Sequence, residues 1–219
     1  MFVDRRDAGR QLAGLLKKYQ GQEGVLVLAL PRGGVVVGFE IAAQLKADLD
    51  VLIVRKIGFP WQPELAAGAV SETGTVVMNR EILSSSSGAM DAYIEQETAQ
   101  QKEEIVRRVA LYRKGAAIKA LKDRTVILVD DGVATGATMK AAIEALKKEG
   151  IRKLVVAVPV APPLTAEELR GMADEFLCIG TPPDFMSVGS HYFDFTQVTD
   201  EEVVQMLEKA GAVEGGKAA

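Results

Sequence analysis

Cysteine and histidine are almost absent from this chain: Cys178 and His191 are the only ones among 219 residues, and aromatics make up 5%. A lone cysteine excludes an internal disulfide. One cysteine and one histidine also leave Cys/His metal clusters and Cys–His or Ser–His catalytic pairs without support, and Cys178 reads as a small core residue. An excess of positive charge is missing too, with 26 Lys and Arg against 30 Asp and Glu and a net charge of −4. No overall field attracts nucleic acid or an anionic membrane, although a local basic pocket is compatible with this balance. No apolar run approaches the ~18 residues of a spanning helix. The opening "MFVDRRDAGRQLAG" lacks the apolar stretch of a signal peptide, so the expected compartment is the cytoplasm, with no membrane partner. Neither G-x-G-x-x-G nor G-x-x-x-x-G-K-[ST] occurs, which disfavours a dinucleotide fold and a P-loop.

What is present is an alternation of buried strands and amphipathic helices. Residues 4–19 predict a helix capped by Asp4 or Asp7, with Ala8, Leu12, Leu15 and Tyr19 on one face. "GVLVLAL" (24–30) is a continuous apolar run, as a strand buried on both faces requires. A helix with Val37, Ile41 and Leu45 on its core face follows, then a second strand at 50–56. Residues 57–64 read as a loop carrying Trp61, and 66–70 and 75–79 as short strands. A largely helical, charge-rich segment spans 91–121, with a narrow stripe of Ile105, Val109 and Tyr112 and an otherwise solvated face. Strands are expected at 125–130, 153–160 and 175–180 and helices at 136–149 and 199–210, with Gly150 ending the first of these. Thr165 and Glu168 form a capping-box pattern for one more short helix. The pattern predicts a single α/β domain over 1–219: a doubly wound, mainly parallel sheet flanked by helices. Its core covers about 24–180, with a flexible loop and helical insertion at about 57–123 and a final helix and tail at 199–219.

Such sheets bind ligands beyond the carboxyl ends of their strands. Three strand ends here carry unusual chemistry: "PRGG" after the first, "RK" in the second and "DDGVATGAT" after the third. In "TGAT", Gly136 and Ala137 let the backbone wrap closely while a helix begins, and Thr135 and Thr138 add hydroxyl donors. Free N–H groups and the positive end of a helix dipole make this a receptacle for phosphate. Asp130 and Asp131 just upstream would repel a bare phosphate, but a phosphorylated ribose satisfies both features, its hydroxyls donating to the acids.

A hydrophobic strand, two acids and a short loop ending in T-G-x-T, here Val126 to Thr138, resemble the signature of the type I phosphoribosyltransferases, which use 5-phosphoribosyl pyrophosphate (PRPP). "LPRGG" (30–34) resembles that family's pyrophosphate loop, and "VRKIGFPWQPE" (54–64) its flexible catalytic loop. The N-terminal "FVDRRDAGRQLA" is similar to a helix shared by uncharacterised members of the family. The resemblance implies Mg²⁺-dependent transfer of the 5-phosphoribosyl group to a nitrogenous base or similar small acceptor, releasing pyrophosphate. A PRPP-binding regulator without turnover is the alternative. It implies catalytic roles for Arg32, Lys56, Asp130 and Asp131. Gly33, Gly34, Arg55, Ala134, Thr135, Gly136, Ala137 and Thr138 would bind substrate, and Asp131 with Asp194 would hold metal. A hood at about 181–196 would read the acceptor, with Phe185 stacking and Val188 beside it, unless Phe185, Tyr192 and Phe193 only pack the hood onto the sheet. The loop 57–65 would close over the site, with Trp61 a lid residue or a subunit contact. Two departures bear on the acceptor. Ala134 stands where 6-oxopurine enzymes carry an aspartate and adenine enzymes an alanine, and "PVAPPL" (159–164) offers no lysine to read a 6-oxo group. Family members are commonly dimers, with the helices at 4–19 or 91–121 available for contact, and no nucleic-acid partner is implied.

Overall fold

Five strands pair in parallel between two layers of helices, and the central three are apolar and buried almost throughout. The structure, a computed structural model, describes residues 1–59, 62–78 and 88–214. Its strands are β1 (Val25–Ala29), β2 (Asp48–Val51), β3 (Val54–Phe59), β4 (Gln62–Ser71), β5 (Val76–Met78), β6 (Thr125–Val129), β7 (Lys153–Val160) and β8 (Glu175–Gly180). Its α-helices are α1 (Arg5–Leu15), α2 (Gly33–Leu45), α3 (Gly88–Arg113), α4 (Ala137–Lys147), α5 (Pro163–Met172) and α6 (Asp200–Glu214). The main sheet runs β2-β1-β6-β7-β8, all parallel, and β3-β4-β5 form a separate antiparallel sheet. Side chains of β1 and β6 alternate between two cores. Val25, Val27, Ala29 and Ile127 meet Leu12 of α1, Ile41 of α2 and Val203 of α6. Leu26, Leu28, Val126 and Leu128 meet Met139, Ile143 and Leu146 of α4 and Leu169 of α5. From β1 the chain crosses to β2 on one side, and from β6 it proceeds to β7 and β8 on the other. The crevice between the ends of β1 and β6 is therefore the topological switch point.

Several elements differ from the sequence expectation. The strand expected at 50–56 breaks at Leu52 and Ile53, whose N–H groups bond Ala29 O and Glu72 Oε1. Both residues are buried, so apolar character continues while the chain changes sheets. Arg55 and Lys56 consequently lie on β3 of the antiparallel sheet. The loop expected at 57–64 is mostly hairpin: Ile57–Phe59 belong to β3 and 62–64 to β4, while Pro60 and Trp61 fall outside the described residues. Gly58 pairs with Ala66 and Phe59 with Gln62, so the register shifts on either side of Gly58.

In α1, Asp4 caps by accepting from Asp7 N, but the helix stops at Leu15, which is 51% exposed, and Leu16 takes the buried position. Helix α3 ends at Arg113, where Lys114 and Gly115 turn to positive φ, rather than continuing to 121. Helix α4 ends at Lys147, and Gly150 turns at φ 66° three residues later. Thr165 and Glu168 make no capping box. Pro162 and Pro163 start α5 earlier, which frees the Thr165 hydroxyl to donate to Ala134 O at 2.9 Å. A reciprocal cap occurs instead at α6, where Thr199 and Glu202 bond each other's backbone N–H.

Candidate active site at the β1 and β6 strand ends

Leu30 N donates to Val129 O, which holds the PRGG turn over the end of β6. Arg32 precedes α2 and follows a cis Pro31–Arg32 peptide. A Cβ on Gly33 would lie 1.9 Å from Asp131 Oδ2, and one on Gly34 would lie 2.9 Å from Asp130 Cα. The glycines of this loop are therefore required by its direct packing on the acid pair, and they leave their own N–H groups at the start of the 13-residue α2.

The two aspartates have different surroundings. Asp130 Oδ1 accepts from Asp131 N at 2.8 Å. Asp131 Oδ2 accepts from Arg5 Nε at 2.6 Å, with the two side chains 14% and 10% exposed. The Arg5 guanidinium also donates to Thr196 O at 2.8 Å and lies 3.8 Å from the centre of the Phe195 ring. Tyr192 donates its hydroxyl to Asp131 O. Burial, with the Asp131 charge beside it, pushes the Asp130 carboxyl well above the usual carboxylate range. Burial also raises Asp131, against the pull of Arg5, and raises the Tyr192 phenol.

The loop after the acids is fixed from both sides. Val133 N donates to Val160 O at 2.9 Å, and a Cβ on Gly132 would meet Val188 Cγ1 at 2.5 Å. Gly136 takes φ 77° at the N-cap of α4 and accepts from Lys140 N. A side chain there would be strained and would meet Thr165 Cγ2 at 2.9 Å. Ala134 and Thr135 are exposed, and Ala137 and Thr138 half-buried, at the amino end of an 11-residue helix.

Lys56 and Arg55 reach this region from β3. With Pro31 and Thr138 they line an open cleft of about 560 Å³, whose far wall is Tyr93, Glu97, Gln101 and Arg108 of α3. Arg32 stands 4.0 Å from Asp200 of α6, whose Oδ1 accepts from the Tyr112 hydroxyl at 2.5 Å. Burial and Asp200 push that phenol up to about 12.

In the hood, Phe185 stacks on His191 at 5.3 Å and packs with Val188 against Phe2, Ala8 and Tyr192. Phe2 N donates to His191 O and Phe193 N to Phe2 O, so the N-terminal segment closes the hood. Tyr192 is buried as a packing residue, whereas Phe193 is 76% exposed and packs nothing onto the sheet. Asp194 Oδ1 accepts from Thr196 N and Oγ1 at 2.9 and 2.6 Å, which commits that oxygen to a local turn. Among the described residues no group of three or more His, Cys, Asp or Glu could hold a metal ion, so Asp131 and Asp194 do not form part of such a cluster.

The sequence offered no signal for Arg5, which lies 126 positions from its partner Asp131, nor for the Tyr192 bond to Asp131 O, Asp200 or the α3 residues at the cleft. Spacing along one chain says nothing about which distant elements meet.

A family model for the phosphoribosyl transferase domain matches residues 4–189. Over 213 residues the chain is 46% identical to a Mycobacterium tuberculosis H37Rv protein provisionally named a phosphoribosyl transferase, and the strain CDC 1551 counterpart gives the same match. The match covers 96% of this chain but 47% of those proteins, so the chain spans about half the length of the curated relatives it matches. A crystal structure of the Thermus thermophilus protein TT1426 superposes with a TM-score of 0.82 at 46% identity, covering 95% of this chain and 98% of that one. Among the described residues no helix is long and apolar enough to cross a membrane. With its parallel sheet, its acid pair and the TGAT turn that opens α4, this chain belongs to the phosphoribosyl transferase family.

Proposed function

We propose that the chain transfers the 5-phosphoribosyl group of PRPP to a nitrogen of a small acceptor base, releasing pyrophosphate. The supporting observation is the meeting of PRGG and DDGVATGAT at the switch point, with Lys56 at the adjoining cleft. In this reading the amino end of α4, with Thr135 and Thr138, holds the 5′-phosphate. The ribose diol faces Asp130 and Asp131. As the C1′–oxygen bond lengthens, positive charge grows on the ribose ring and negative charge on the departing pyrophosphate. Arg32, Lys56 and the Gly33 and Gly34 amides at the start of α2 answer the second, and the buried acids answer the first. The acceptor nitrogen attacks C1′ under the hood, beside Phe185 and Val188.

The acid pair fits Mg²⁺. Adjacent in sequence, the Asp130 and Asp131 carboxylates stand together at the end of β6 beside the PRGG glycines, and Mg²⁺ takes hard carboxylate and phosphate oxygens. Asp130 and Asp131 would hold it, and when bound it neutralises charge on the departing pyrophosphate. One Asp194 oxygen, Oδ1, is already engaged by Thr196. A cytoplasmic homodimer completes the reading, with Val106, 67% exposed on α3, available to a second copy.

The test is pyrophosphate release from PRPP and Mg²⁺ across a panel of bases. Acceptor-dependent release is expected, with Lys56→Ala slowing it about a hundredfold. PRPP binding without release on any acceptor would assign a sensing role instead. Failure to bind PRPP would overturn both readings.

A further inference from the structure

Helix α3 looks from its composition like a solvated insertion, yet one of its faces lines the substrate cleft. Tyr93, Glu97, Gln101 and Arg108 are spaced to share that face, opposite Arg55 and Lys56, with Pro31 of the PRGG turn and Thr138 of the phosphate cradle in the same lining. The contacts on this wall are directional. Glu97 accepts from Gln101 Nε2 at 2.8 Å, which turns the amide oxygen onto Arg55 Nε, also at 2.8 Å. Arg55 is thereby oriented by a neutral group, and no carboxylate among the described residues is ion-paired with it. Glu104 is shared between Arg107 at 2.7 Å and Arg108 at 2.8 Å, so a single carboxylate serves two guanidiniums. Three cations, Arg55, Lys56 and Arg108, line the cleft against a single carboxylate, Glu97, so the lining carries an excess of positive charge.

We infer that Arg108 on α3, together with the Gln101-oriented Arg55, forms the outer half of the subsite for the pyrophosphate group of PRPP. The α3 insertion is then part of the substrate site. Guanidinium groups suit this task because their planar donors bind phosphate oxygens in pairs. Phosphate on the PRGG side would contact Arg32 and the α2 amides, and the outer phosphate would reach across the cleft to α3. This inference rests on the PRPP reading.

Calorimetric titration of the full chain with inorganic pyrophosphate, ribose 5-phosphate and PRPP tests it, using wild type, Arg108→Gln and Glu104→Gln. Loss of a charge-assisted hydrogen bond predicts that Arg108→Gln weakens pyrophosphate binding roughly tenfold or more, with ribose 5-phosphate unchanged. Glu104→Gln breaks the same helix-surface pair but frees Arg108, so it should bind pyrophosphate as tightly as wild type or more tightly. Unchanged pyrophosphate binding in Arg108→Gln, with PRPP still bound by wild type, overturns the inference alone. So does an equal loss in Glu104→Gln, or an equal loss for ribose 5-phosphate, since either assigns Arg108 to helix support. Wild type that binds neither PRPP nor pyrophosphate overturns the PRPP reading itself.

Discussion

At the crossing of β1 and β6, small residues press backbone against backbone, and the glycines of PRGG leave no room for a methyl group beside Asp130 and Asp131. Across the cleft, charges dominate: Arg113 at the end of α3 lies between Asp50 of β2 and Glu72 beside β4, and within α3 Arg107 and Arg108 share Glu104. The first region is held by steric fit around one buried ion pair, Arg5 with Asp131. The second is held by ion pairs that range from buried to exposed. Steric fit fixes a geometry whatever the solvent, which suits the cradle proposed for a phosphorylated sugar. Charge pairing can exchange partners when an anion arrives, which suits the pyrophosphate wall proposed for α3.

Removing the central guanidinium from each region breaks the comparison most strongly. Arg113 and Glu72 are 8% and 6% exposed, so Arg113→Ala leaves two buried acids unpaired and should cost about 3–5 kcal/mol in urea unfolding. Arg5→Ala leaves one, and belongs at the lower end of that same range of roughly 3–5 kcal/mol. Hydrogen exchange should separate them, with Arg113→Ala loosening α3 and β4, and Arg5→Ala loosening the hood and the start of α2. Identical exchange patterns would show that the two regions are one cooperative unit.

A smaller effect belongs to pH. Hydrogen bonds from Arg107 and Arg108 hold Glu104 down at about 2, below the ordinary carboxylate value. A depressed folded pKa gives stability that is present above the unfolded value, and that stability is lost as pH falls through about 2. Partial exposure limits the effect to roughly 0.2–1 kcal/mol. Glu104→Gln should remove this part of the acid sensitivity, and an unchanged pH–stability curve would show that the pair contributes nothing. The smallest expected effect is Phe193→Ala, within about 0.5 kcal/mol of wild type by thermal unfolding, because this side chain is exposed. A larger loss would show that Phe193 packs against something in solution.

The apolar runs and helical spacing determined the parallel sheet, since burial on both faces leaves a mark on every residue of β1 and β6. The small residues of PRGG and TGAT likewise marked the strand ends where backbones approach closely. Local order also narrowed the cap to Asp4 or Asp7, because a cap and its helix are neighbours in sequence, and the structure takes Asp4. Tertiary structure alone decided that the run at 50–56 changes sheets, because Leu52 and Ile53 stay buried within the break itself. It alone brought Arg5 to Asp131 and Arg108 to the cleft. Apolar burial is written residue by residue, whereas an ion pair or a cleft wall depends on which distant elements the fold sets side by side.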